Sequence, residues 1–209
     1  MPKIDLAPPL PSFLSYKSAL VLLPPRAIAL PIEAVRGNHD RHFKRWPPHI
    51  NLIWPFLAQP STAEPGRAHR TLKDEIRSRI QRATKDIRSF HMNLMADHPG
   101  TFQMSKTFTN VHLKPSTDSV EKLQAALQAE FAECDYDKRP FVPHLSLGQV
   151  KSAFRLEQLR TRLRESIADH LEPGLDPRLE WHVDAVLVLE RKDYNDRFKV
   201  VGTIELDRE

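Results

Sequence analysis

Short apolar blocks along this chain alternate with stretches in which apolar residues recur every three or four positions, the pattern of strands interleaved with helices. Residues 18–23 form an apolar block stopped by Pro24 and Pro25, which predicts a buried strand. A helix is predicted over 31–44, with Pro31 in its first turn and Ile32, Val35 and Phe43 facing inward. A strand over 49–56 follows, then a surface loop over 55–66 rich in proline, serine and glycine. Leu72, Ile76, Ile80, Ala83 and Ile87 share one face of a helix predicted over 70–87. The other face is basic and reads as solvated rather than as a nucleic-acid contact. Strands over 89–95 and 106–113 flank a turn at 97–100.

The second half repeats this order. A strand over 111–115 ends in proline, and Asp118 followed by Glu121 marks a helix start whose buried stripe is Leu123, Leu127 and Phe131. A strand follows Pro143. Leu156, Leu159, Leu163, Ile167 and Leu171 then define a periodic helix, and strands are predicted over 181–189 and 198–206. Details match as well: Phe90-His91-Met92 and Trp181-His182-Val183 occupy equivalent places, and Trp46 and Phe141 each stand three residues before the motif histidine. Each half therefore reads strand, helix, strand, helix, strand, as a duplication does.

Composition narrows the class. The 209 residues are 40% hydrophobic, enough for one folded unit. The first 17 residues, with Pro8, Pro9 and Pro11, are expected to form a proline-rich N-terminal arm, and 18–209 a single bilobal domain with duplicated halves. A single cysteine, Cys134, excludes an intramolecular disulfide and a multi-cysteine zinc site. Neither a secretory signal nor an apolar run long enough to cross a bilayer is visible, so an intracellular, cytoplasmic or nuclear location and no membrane partner are expected. The net charge of +4 favours a polyanionic partner only mildly.

The chemistry lies in the repeat itself. Pro48-His49-Ile50-Asn51-Leu52 returns 95 residues later as Pro143-His144-Leu145-Ser146-Leu147. On strands, His49 projects with Asn51 and His144 with Ser146, while the apolar residues between them pack behind. Two imidazoles flanking an amide and a hydroxyl suit acid/base chemistry at a phosphate. The paired motif resembles the 2H phosphoesterase superfamily, which includes the 2′-5′ RNA ligase-like proteins and cyclic nucleotide phosphodiesterases and whose signature is two copies of His-x-Thr/Ser. His144-Leu145-Ser146 fits it fully, whereas Asn51 stands where the family has a hydroxyl.

The resemblance implies an α+β fold of two pseudo-symmetric lobes, antiparallel sheet with helices outside, around a central cleft. It further implies a phosphodiesterase that opens a 2′,3′-cyclic phosphate or 2′-5′-type diester at an RNA terminus or on a small cyclic nucleotide. His49 and His144 would then be catalytic, and Asn51 and Ser146 would bind phosphate. Which histidine is base and which acid depends on the pose of the substrate, with His144 the favoured base. Cofactor, metal and obligate protein partner are not expected. Two alternatives remain: a catalytically weak RNA- or nucleotide-binding module, and a 2′-5′ RNA ligase-like activity. Phe141 and Trp54 are candidates for stacking on a base, against the more frequent role of such residues in packing. His39 and His42, three apart on the first predicted helix, lack a third metal ligand. His91 and His182 are duplicated strand positions with no assigned chemistry.

Overall fold

A computed structural model describes residues 9–63, 70–170 and 179–207. The first half contains strands β1 (Leu14–Ser15) and β2 (Ser18–Leu22), helix α1 (Arg26–His39), β3 (Ile50–Ile53), the short β4 (Phe56–Leu57), β5 (Ser61–Ala63) and β6 (Arg70–Leu72), helix α2 (Asp74–Thr84) and β7 (Phe90–Leu94). Then come β8 (Gly100–Gln103), β9 (Thr109–Leu113), α3 (Ser119–Glu130), β10 (Leu145–Val150), α4 (Ala153–His170), β11 (Leu179–Val183), β12 (Ala185–Glu190) and β13 (Lys199–Glu205).

Seven strands form one antiparallel sheet in the order β13-β12-β2-β3-β10-β9-β8. Apart from the extra edge strand β13, the order is symmetric about the β3/β10 junction: β2 corresponds to β9 and β12 to β8. The remaining duplicated pair, β7 and β11, join each other in a separate ribbon. The fold is thus α+β with two pseudo-symmetric lobes, as expected. The helices are exchanged between halves. α1 packs on β10 beside α4, and α3 packs on β3 beside α2, so each motif strand is backed by a helix from the other half.

The main core lies on the helix side of the sheet and includes Leu20, Leu22, Ile50, Leu145 and Val188 with Ile32, Ile80, Leu123 and Leu163. A second, smaller cluster of Ala19, Val21, Trp46, Leu189 and Phe198 covers the other side. Gly148 permits a close approach of α1 to β10. It has φ +149°, and a Cβ there would stand 2.5 Å from the His39 carbonyl oxygen at the end of α1. The strand bulges at this point, between Ser146 and Gly148.

Several boundaries differ from those the pattern predicts. The N-terminal arm ends early, because Leu14 is buried and pairs with Leu57. The first helix begins at Arg26 and holds Pro31 in its interior, since Pro25 already supplies the N-terminal boundary. The predicted loop contains β4 and β5, and Arg70–Leu72 pairs with β5 instead of opening α2. The predicted 181–189 strand is two strands in different sheets, broken at Asp184, whose carbonyl accepts the Leu206 N–H. Leu171, expected to close α4, lies outside the described residues. The basic face of α2 is partly structural: Arg79 and Arg82 bind Glu130 of α3.

Gly148→Ala is expected to destabilise the fold by about 1–3 kcal/mol through backbone strain alone, with the His39 clash adding to it. Denaturant unfolding of the variant measures this.

Candidate active site

The two motif strands meet at the middle of the sheet, where Leu145 pairs with Ile50. Both residues are fully buried toward the helices. Strand parity therefore turns His49, Asn51, His144 and Ser146 to the opposite face. Carrying the antiparallel register one residue either way sets His49 against Ser146 and Asn51 against His144. The two histidines are diagonal neighbours, at a spacing of about 7–8 Å between such positions.

Each imidazole is held by the same local device. His49 Nδ1 lies 2.7 Å from the Pro47 carbonyl oxygen, and His144 Nδ1 lies 2.8 Å from that of Val142. Pro48 and Pro143 restrict the preceding residue to extended backbone, which presents that carbonyl to the ring two positions on. A carbonyl only accepts, so Nδ1 carries the proton and Nε2 of the neutral ring keeps its lone pair. The repeated proline thus sets both tautomers.

Both rings are half-buried and backed by aromatic groups. His49 stacks on Trp46 at 4.3 Å, Trp46 stacks on Phe198 at 3.8 Å, and the Arg191 guanidinium lies 4.5 Å from the Phe198 ring in that column. His144 meets Phe102 and His112 edge-on at 5.1 and 5.2 Å, and those two rings stack at 4.1 Å. Burial pushes His49 down to about 3, with the Pro47 carbonyl opposing and Arg36 and His144 reinforcing the shift. Burial also lowers His144, against the Val142 carbonyl. Both imidazoles of the free chain are therefore neutral at pH 7.

Ser146 Oγ accepts a hydrogen bond from Asn110 Nδ2 at 3.3 Å. Asn51 buries Oδ1 without a partner. Asn110 Oδ1 and both ring nitrogens of His112 are likewise buried and unpartnered. Orphaned polar atoms cost about 1–3 kcal/mol each, and these lie on β3 and β9, the two strands flanking β10.

Asn110 and His112 escaped the sequence reading. His112 pairs with Ser146 across β10/β9, is fully buried, and is pushed down to about 4 by burial, then by His144 and Lys114. Gly100 makes room for it, since a Cβ there would lie 2.5 Å from His112 Nε2. The available signal was parity: Asn110 and His112 alternate with buried Val111 and Leu113.

Trp54 is 39% exposed and meets Trp46 edge-on at 6.0 Å, so it stands at the rim beside the His49 column. Phe141 instead packs against the main core. His39 and His42 do not converge: His42 faces Arg41 and Arg45 through its two ring nitrogens, while His39 lines a cavity between α1 and α4. Among the described residues no group of three or more His, Cys, Asp or Glu is arranged to hold a metal, and no helix is long and apolar enough to cross a membrane.

A sequence profile of the 2′-5′ RNA ligase superfamily matches residues 24–195. No curated protein matches by sequence. Among solved structures, apo LigT of E. coli aligns with a TM-score of 0.53 at 16% identity, over 94% of this chain and 99% of that one. LigT complexed with 3′-AMP aligns with a TM-score of 0.52 at 16% identity, over 91% and 98%. TT0787 of Thermus thermophilus aligns with a TM-score of 0.50 at 19% identity, over 92% and 98%. At these identities the likeness is one of fold.

Because His112 is lowered from 6.5 to about 4 in the folded chain, the unfolded chain binds more protons between those values. His49, lowered to about 3, acts in the same sense. Stability should therefore fall as pH drops from 6.5 toward 4. His112→Phe should flatten that decline, as read from unfolding midpoints across the range.

Proposed function

The chain belongs to the 2′-5′ RNA ligase superfamily, and from that premise we propose that it is a phosphodiesterase acting on 2′,3′-cyclic phosphates or 2′-5′-type diesters of RNA ends or small nucleotides. The observation that carries this reading is the pair of identically tethered imidazoles on adjacent central strands, each with the Nε2 lone pair available. In hydrolysis of a 2′,3′-cyclic phosphate, one Nε2 takes a proton from water as its oxygen bonds to phosphorus. The other imidazolium gives a proton to the ribose oxygen as the P–O bond breaks, leaving a phosphomonoester and a free hydroxyl.

Burial lowers both imidazoles, so both free rings are neutral at pH 7, and the pose of the substrate sets which ring acts as base and which as acid. The anionic substrate supplies the missing condition. A phosphate between the rings favours an imidazolium beside it and so raises the value of the acid when bound. The Asn51 amide and the Ser146 hydroxyl, the latter held by Asn110, are the donors for non-bridging oxygens. Trp54 offers an exposed face for a base. That LigT has been crystallised with 3′-AMP is consistent with a nucleotide in a cleft of this fold.

The decisive experiment is a panel of cyclic mononucleotides, RNA 2′,3′-cyclic phosphates and 2′-5′ oligonucleotides, with product analysis separating 2′- from 3′-phosphates. His49→Ala and His144→Ala should each lower turnover by about 10²- to 10⁴-fold. Near-parental rates in both variants would leave the catalytically weak binding module as the better reading.

Asn51→Ala and Ser146→Ala should each lose about 10²- to 10³-fold in kcat. If Asn51→Ala matches the parent and Asn51→Thr is faster, Asn51 contributes no phosphate contact. kcat/KM reports the free enzyme, and because burial holds both imidazoles below the ordinary 6.5 the singly protonated pair is scarce above that value, so kcat/KM should fall as pH rises through and beyond 6.5. Exhaustive chelation should leave turnover intact, because the two imidazoles supply both proton transfers.

A further inference from the structure

Outside the site, His91 and His182 stand directly opposite each other on β7 and β11. Both are exposed, and His182 Nδ1 lies 2.9 Å from His91 Nε2. The ribbon holds them in place. Met92, Leu94, Trp181 and Val183 are buried in the main core, which turns the alternate positions, His91 and His182 among them, to the surface.

Two imidazoles fixed this close and open to solvent are nearly a formed chelate. Nitrogens bound about 2.0–2.1 Å from one ion, at N–metal–N angles between about 90° and 109°, are about 2.9–3.4 Å apart. The observed separation of 2.9 Å sits at the short end of that range. We propose that His91 and His182 together bind a divalent transition metal ion of the imidazole-preferring class, Zn²⁺, Ni²⁺ or Cu²⁺, with water in the remaining positions.

Glu180, two residues before His182 on the same face, adds negative charge nearby. Among the described residues no third side chain is placed as a ligand, so this is a two-ligand site. In the hydrogen-bonded pair one ring donates its N–H to the other. Binding through the same two nitrogens requires that ring to carry its proton on its other nitrogen, a change of tautomer with no net proton released from neutral rings.

The consequence is structural. β7 belongs to the first half and β11 to the second, and the ion ties together positions 91 residues apart in the chain. An ion that binds the folded chain and not the unfolded one raises stability with its concentration.

The test is thermal unfolding of the whole chain, stripped by chelator and then titrated with NiCl₂ to millimolar concentration, with MgCl₂ as the oxygen-preferring control. The parent midpoint should rise with nickel and not with magnesium. His91→Ala and His182→Ala, both at exposed positions, should keep a metal-free midpoint near the parent's and lose the nickel response. His39→Ala should retain it. A nickel response that survives in both variants, or none in the parent, overturns the proposal.

Discussion

Everything in this molecule hangs on the junction of β3 and β10, where Ile50 and Leu145 pair. Two buried aliphatic side chains on one face force the four polar motif residues onto the other. Antiparallel pairing then sets each histidine diagonally from its counterpart. No loop intervenes between the histidines and the sheet, so the spacing of the proposed acid and base is that of the backbone itself. The exchanged helices add to this constraint: α3 presses on β3 and α1 on β10, so neither half can move its motif strand without the other.

The site departs from a simple pair of titrating histidines. Burial keeps both rings neutral, and buried polar atoms of Asn51, Asn110 and His112 lack partners. Two of these atoms, the amide oxygens of Asn51 and Asn110, are acceptors, so a donor such as water or a ligand hydroxyl, not an anion's oxygen, is what would satisfy them. The column Arg191, Phe198, Trp46 and His49 restrains one ring in orientation, while the edge-on packing of Phe102 and His112 leaves His144 differently supported.

The order of elements and the four motif residues were readable before any coordinates, because each rests on a period of two or of 3.6 and the period occurs twice. Partners were not. Nothing in the periodicity of α1 says that it backs β10, and a continuous apolar run such as 181–189 hides the break at Asp184 between two sheets. The very short β4 and β5 lie in a segment whose prolines mask any alternation. His112 went unseen for a reason peculiar to duplication. It pairs with Ser146 as Val21 pairs with Asn51, so the equivalent position in the first half is apolar and comparison of the halves raises no flag.

The pairing of β2 with β12 and of β7 with β11 has a bearing on how the chain acquires its shape. Sequence-distant partners of this kind close slowly, because a long loop must be ordered before any contact rewards it. During synthesis the first half emerges with the edges of β2 and β7 unmatched, and β3 lacks both its neighbour β10 and its covering helix α3. Open strand edges are the usual templates for association between nascent chains. The interleaved architecture therefore places the vulnerable interval of this protein's life before residues 185–190 have been made.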